Sequence, residues 1–181
     1  MERTIKIEYF NTPYGELMLG SLEHKLCLCD WRYRKMRNAI DSRIKENLGA
    51  KFIFEHSDII DITKEQLIQY FEGKRTEFDV PLILSGTDFQ KMVWYKLLQI
   101  PYGKTLTYAE LSIKLDNRAA IRAVASANGA NAISIIVPCH RIIGSDGRMV
   151  GYAGGIPTKK KLLRLEGAID STQLSLFASG K

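Results

Sequence analysis

The sequence predicts a two-domain chain: an α/β N-terminal domain with a small sheet, followed by a mostly helical C-terminal domain. Three observations carry that division. Residues 4–31 alternate apolar and polar side chains with the period of strands, whereas beyond about residue 86 the apolar period becomes mostly helical. The charge separates at the same place. Residues 1–84 hold 13 Lys/Arg against 14 Asp/Glu, a net of −1, and residues 85–181 hold 13 against 6, a net of +7, so the overall +6 lies wholly in the second half. One-sided positive charge suits a polyanion-binding module, because neutralising phosphates releases counterions; solubility alone is the other reading. With 181 residues, both halves can bury a core without disulfides.

The first domain opens with three strands, marked by the alternation of Ile5, Ile7 and Tyr9, by Leu17-Met18-Leu19, and by residues 26–31. Pro13-Tyr14-Gly15 and Glu23-His24-Lys25 separate them, which predicts a meander. Residues 35–48 predict a polar helix, Phe52-Ile53-Phe54 a further strand, and Leu67, Tyr70 and Phe71 a helix ended by Gly73. The Pro- and Gly-containing joint at 80–86 sets the domains as 1–84 and 85–168, with 169–181 as a flexible tail.

In the second domain Thr87-x-x-Gln90 is a capping box before a helix with Phe89, Met92, Val93 and Leu97 on one apolar stripe. Pro101-Tyr102-Gly103 breaks it. Thr107-x-x-Glu110 is a second capping box, opening a short helix to about Leu115. After a tight Asp116-Asn117 turn, Asn117 is the expected cap of a third helix reaching Gly129. Ile121, Val124 and Ala125 would face inward and Arg118, Arg122 and Ser126 outward. Helix, turn, helix with outward arginines resembles a helix-turn-helix. Ala119, Ala120, Ala123, Ala125, Ser126 and Ala127 suit close approach to another surface, although helix propensity alone also favours alanine. Their small size points to shape-based or minor-groove docking with little sequence preference.

Three cysteines, two of them only two positions apart at Cys27 and Cys29, are not a secreted disulfide framework. No apolar run approaches the roughly 20 residues that span a bilayer, and the N-terminus lacks a signal-peptide core. A reducing, cytoplasmic and nucleoid-associated location is the expectation.

Residues 133–137 are almost wholly apolar and lead into Pro138-Cys139-His140-Arg141, with Ile142-Ile143 beyond. A thiol nucleophile acts as thiolate, and burial disfavours that form, so the site needs a proton acceptor and positive potential. His140 and Arg141 are the candidates. Adjacent strand residues point oppositely, so His140 can serve Cys139 only if the chain turns there or a water bridges them. A buried inert cysteine beside a structural histidine is the alternative. Glu166 ends a helix that begins after Pro157-Thr158, where the macrodipole disfavours an acid; it should have a compensating partner, and His140 fits. Gly144-Ser145-Asp146-Gly147 and Gly151-Tyr152-Ala153-Gly154-Gly155 form loops whose backbone can approach a flat ligand.

Ile100-Pro101-Tyr102-Gly103-Lys104, Thr107-Tyr108, Ala120-Ile121-Arg122-Ala123-Val124, residues 128–131, Ile136-Val137-Pro138-Cys139-His140-Arg141, Gly151-Tyr152 and Leu165-Glu166-Gly167, in order over 88–168, together resemble the O6-alkylguanine-DNA alkyltransferases. The resemblance implies a ribonuclease H-like N-terminal domain and a winged helix-turn-helix-like C-terminal domain carrying the reactive cysteine. It also implies an irreversible, single-use methylated-DNA–protein-cysteine S-methyltransferase, monomeric, acting on O6-methylguanine and O4-methylthymine with no cofactor and no metal.

On that resemblance the damaged nucleotide is flipped into a pocket, Cys139 attacks the alkyl carbon, and His140 with Glu166 makes the thiolate. Tyr108 crowds a phosphate and protonates the leaving guanine. Asn131 pins the turn before the active-site segment. Arg122 fills the vacated stack, and Arg118, Ala123, Ser126 and Arg141 join it on DNA. Tyr152, Ala153, Ile142, Ser134 and Lys159 belong to the substrate pocket, with the Ala153 amide and the Cys139 and Ile142 carbonyls reading the guanine edge. Ser134 and Ala153 depart from the proline and serine of some relatives, which bears on bulky alkyl groups.

His24, Cys27 and Cys29 look like a zinc site, but the two cysteines are expected on one face of a strand with no fourth ligand. In the tail, Gln173, Leu174, Leu176 and Phe177 resemble a sliding-clamp docking pentapeptide; packing of an apolar tail on its own domain is the alternative. A thiol hydrolase using Cys139 and His140 leaves the basic helix-turn-helix unexplained, and a DNA-binding sensor without chemistry leaves the cysteine unexplained.

Overall fold

The computed structural model describes residues 3–170. Strands β1 (Arg3–Thr12), β2 (Gly15–Leu22) and β3 (Lys25–Trp31) form the expected antiparallel meander, and β4 (Ala50–Phe54) joins parallel to β1, giving the order β3-β2-β1-β4. α1 (Arg37–Leu48) packs Ile40 and Ile44 on one face of the sheet, against Ile5, Ile7 and Met18. The other face carries α2 (Asp58–Phe71), whose Ile60, Leu67 and Tyr70 meet Leu17, Leu19 and Leu26.

That second core continues without interruption into the C-terminal half, through Val93, Leu97, Leu111, Val124, Ile142 and Leu162. The halves therefore fold against each other. The 80–86 joint is tied to β3 by Leu26 N–H to Pro81 O at 2.8 Å and Ile83 N–H to Leu26 O at 2.8 Å. On the same strand, Cys29 N–H donates to Ala132 O at 2.9 Å and Ser134 N–H to Cys29 O at 2.6 Å. The segment leading to Cys139 is thus held on the N-terminal sheet's edge.

Both capping boxes form, on α3 (Asp88–Leu98) and α4 (Tyr108–Lys114). On α3, Met92 is exposed and Trp94 takes the buried place; its indole N–H donates to Ala127 O at 2.8 Å. The third predicted helix is divided into a 3-10 turn, Arg118–Ala120, and α5 (Ile121–Gly129), and the Asn117 side chain caps nothing. The preceding helix closes at the same place: Asp116 takes the left-handed conformation, and Asn117 N–H returns to Ser112 O at 3.1 Å. The buried face of α5 is Val124, Ala127 and Asn128, with Ala125 only half-buried, while Ile121 is turned outward beside Arg122.

A two-residue parallel pair, β5 (Leu106–Thr107) with β6 (Ile142–Ile143), and α6 (Gly155–Leu165) complete the C-terminal half. α6 begins at Gly155, before Pro157, which sits in the first turn where its missing N–H costs nothing.

Cys27 and Cys29 do not share a face. A bulge leaves Cys27 unopposed between Leu26, paired with Ser21, and Leu28, paired with Gly20, so Cys27 enters the core under α1 and Cys29 the core that contains Cys139. Burial pushes both thiols up, Cys27 to about 12. His24 lies exposed in the hairpin turn, so the three do not converge. Among the described residues, no helix is long and apolar enough to cross a membrane.

Candidate active site

Cys139, His140 and Arg141 form a 3-10 turn rather than a strand, delivered by a tightly folded segment. Asn131 organises it: its amide N–H donates to Val137 O at 2.9 Å, and its side-chain oxygen accepts from Ile133 N–H at 2.9 Å. Within this loop buried Ile135 has φ 73°, a region that strains a β-branched residue, and Ile136 N–H donates to Ser134 O at 2.9 Å around it.

The turn separates the roles of the three neighbours. Cys139 opens onto a cleft of about 590 Å³ lined by Tyr108, Asn128, Tyr152 and Ala153 from the C-terminal half and by Trp31 and Arg34 from the N-terminal half. His140 is fully buried, and its Nε2 lies 2.7 Å from Glu166 Oε1. Because an ionised carboxylate only accepts, Nε2 carries the hydrogen. Nδ1 is then the acceptor, buried and without a protein partner. Glu166, at the C-cap of α6, receives further bonds from Arg141 Nε (2.8 Å), Arg141 Nη2 (3.0 Å), Tyr70 Oη (2.7 Å) and Gly103 N–H (3.3 Å). Although burial alone would raise its pKa, the hydrogen bonds from His140 and Arg141 and the guanidinium charge beside it hold it down at about 2.

Burial pushes the Cys139 thiol up, while the Asn131 amide and the more distant Lys159 and Arg34 work the other way. Burial likewise holds His140 below the ordinary imidazole value, against the pull of Glu166. The resting pair is therefore neutral thiol and neutral imidazole, a nucleophile and a base awaiting a proton transfer.

Four of the expected contacts, those of Arg141, Ser134, Lys159 and Ile142, are corrected by burial. Arg141 is not on the outer surface with Arg118 and Arg122; it is interior, bonded to Glu166 and to Ile100 O at 2.6 Å, because Glu166 needs a permanent cation. Ser134 does not line the cleft; it is fully buried, and its hydroxyl donates to Asp30 Oδ1 at 3.0 Å.

Lys159 is buried with its ammonium on the Ile142, Val150 and Gly151 carbonyls, so it and Ile142 support the cleft wall from behind. Arg118, Arg122, Ala123 and Ser126 are all exposed. Tyr108 and Tyr152 face the cleft, both pushed up by burial and therefore protonated. Trp31 backs Tyr152 at 6.1 Å between centroids and lies so close to Gly154 that a Cβ there would meet the indole at 2.6 Å.

Four N-terminal residues that touch the site were missed by sequence reasoning: Asp30, Trp31, Arg34 and Tyr70. An aspartate inside the apolar run Leu26-Cys27-Leu28-Cys29-Asp30-Trp31 was a usable signal, since a buried charge demands partners. Tyr70 offered none, reading as an ordinary core aromatic.

Fold and site together define a protein that presents one buried cysteine, backed by a histidine and a glutamate, beside an arginine-bearing helix-turn-helix. Comparison with known proteins agrees. Residues 88–168 match the 6-O-methylguanine DNA methyltransferase DNA-binding domain, and residues 5–84 match the ribonuclease-like domain of 6-O-methylguanine DNA methyltransferase. A methylated-DNA–protein-cysteine methyltransferase of Methanosarcina barkeri is 43% identical over 159 residues, covering 88% of this chain and 95% of that protein. A crystal structure of Mycobacterium tuberculosis OGT in complex with DNA superposes with a TM-score of 0.76 at 38% identity, over 95% of this chain and 99% of that one. The M. tuberculosis O6-methylguanine methyltransferase gives 0.77 at 37%, over 96% and 99%. The chain belongs to the methylated-DNA–protein-cysteine methyltransferase family.

Proposed function

We propose that this protein repairs DNA by moving the alkyl group of O6-methylguanine irreversibly onto the sulfur of Cys139, once per molecule. The observation that carries this reading is the position of Cys139, a buried thiol lining a cleft beside α5 and next to a histidine whose free Nδ1 can take a proton. The thiol proton passes through a water to His140 Nδ1, and Glu166 stabilises the imidazolium through Nε2–H. The sulfur then forms its bond to the alkyl carbon as the carbon–oxygen bond breaks. The electron pair leaves with guanine, which Tyr108 protonates. No step regenerates the thiol from a thioether.

Exposed Arg118, Arg122, Ala123 and Ser126 meet the duplex in its minor groove, with Arg122 taking the place of the flipped nucleotide. Tyr152 and the Ala153 amide hold the base. O4-methylthymine is the second substrate, no metal or organic cofactor takes part, and the protein acts as a monomer in the cytoplasm, associated with the nucleoid. The division at 84/85 separates a supporting unit from the DNA-binding one.

With radiolabelled methyl on duplex DNA, label should pass to protein and stop at one equivalent; continued turnover would contradict the reading. The clamp segment Gln173, Leu174, Leu176 and Phe177 lies outside the described residues. We hold it as a proposal: Leu176→Ala with Phe177→Ala should abolish sliding-clamp pull-down and keep methyl transfer, and retained pull-down would refute it.

A further inference from the structure

Glu166 Oε1 is shared three ways, by His140 Nε2 at 2.7 Å, Tyr70 Oη at 2.7 Å and Arg141 Nη2 at 3.0 Å. His140 and Arg141 come from the active-site turn. Tyr70 comes from α2 of the N-terminal half, 96 residues away in sequence, and is wholly buried. Its ring is fixed independently of its hydroxyl, between Phe71 and Phe78 at 5.5 Å each and Tyr102 at 6.1 Å between centroids. Nothing in packing alone requires an O–H at this point. Burial and the Glu166 charge both disfavour the phenolate, so the group acts as a permanent neutral donor.

A carboxylate's charge is divided among its donors, and what one draws another loses. We propose that Tyr70 is a positioning residue of the relay: by donating to the oxygen that holds His140, it ties the N-terminal half to the site and limits how strongly Glu166 favours the protonated imidazole. This rests on His140 being the base, as argued above. The other groups facing the pair are accounted for. Arg141 lies on both Glu166 oxygens, Tyr102 stands beside Glu166, and Lys159 acts on His140 from α6. The Tyr152 ring covers His140 at 6.2 Å. Arg141 and Lys159 already oppose an imidazolium, and Tyr70 adds to that side without carrying charge.

The test is Tyr70→Phe, which removes one oxygen and keeps the ring. Its control is Tyr102→Phe, which keeps the ring beside Glu166 and removes a hydrogen bond to Leu165 O at 3.0 Å but none to Glu166 or His140. In Tyr70→Phe the imidazole titration of His140, followed by NMR without DNA, should move up by about half a pH unit to one unit. The acid limb of the single-turnover rate should move by the same amount, and Tyr102→Phe should leave both in place. A His140 titration that superimposes on the unmodified protein, or an equal shift in Tyr102→Phe, overturns the proposal. Because the NMR readout needs no alkyl transfer, failure of the transfer reaction itself would show separately.

Discussion

Two buried carboxylates tie the halves of this molecule together around Cys139, and they are put to different uses. Asp30 accepts from Arg34 at 2.7 Å, Arg37 at 3.1 Å, Ser134 at 3.0 Å and Trp31 N–H at 3.0 Å. Arg34 extends the knot to Asn131 O at 2.9 Å and Gly129 O at 2.7 Å, and Arg43 reaches Ala130 O at 2.7 Å, so N-terminal arginines satisfy carbonyls at the end of α5. Glu166 is as well satisfied, but one of its partners is a histidine. Asp30 has only permanent cations and neutral donors. Burial and hydrogen bonding alone therefore do not mark a carboxylate as chemical; a titratable partner next to a nucleophile does.

The sharpest way to break this contrast is to neutralise each acid. Glu166→Gln should lower the single-turnover transfer rate by about 10²- to 10⁴-fold, the span of a general base and its support. Asp30→Asn should change the rate of the folded protein by less than about threefold, while urea denaturation shows a loss of about 3–5 kcal/mol as two arginines lose their shared partner. Comparable rate losses in the two variants would erase the distinction.

A second contrast separates buried Arg141 from exposed Arg122. Arg122→Ala should slow repair in duplex DNA by about 10²-fold, since flipping costs a few kcal/mol that only the duplex demands, and leave reaction with the free base nearly unchanged. Equal losses on both substrates would remove Arg122 from the flipping step.

The smallest expected effect is on acid stability. Glu166 is held at about 2 in the folded chain against an ordinary 4.5, so the stability it contributes is complete above about pH 4.5 and lost as pH falls towards 2. Glu166→Gln should flatten the unfolding free energy across that window, and an unchanged slope would place the acid-sensitive group elsewhere.

What the sequence disclosed and what it hid follow from how local each feature is. Thr87 with Gln90 and Thr107 with Glu110 were legible because a capping box is closed within four residues. An acid at a helix C-terminus pointed from Glu166 to His140, and the structure brings the two to 2.7 Å. The division of the third helix was hidden because no residue pattern marks where the 3-10 turn at Arg118–Ala120 gives way to α5. Cys27 changed faces through a bulge that no alternation pattern displays. Arg141 was expected on DNA as well as beside the thiol because its partner lies 25 residues on, and Tyr70 read as core because its hydroxyl's destination lies 96 residues on. Contacts of that range depend on tertiary assembly, which periodicity does not encode.

In the proposed reaction Cys139 itself takes the alkyl group. Intact-mass measurement with peptide mapping, after mixing with duplex DNA containing one methylguanine, reads this directly. The expected result is a gain of one methyl per molecule, located on Cys139 and absent from Cys139→Ala. No gain in mass, or a methyl on Cys27, Cys29 or any other residue, would contradict it.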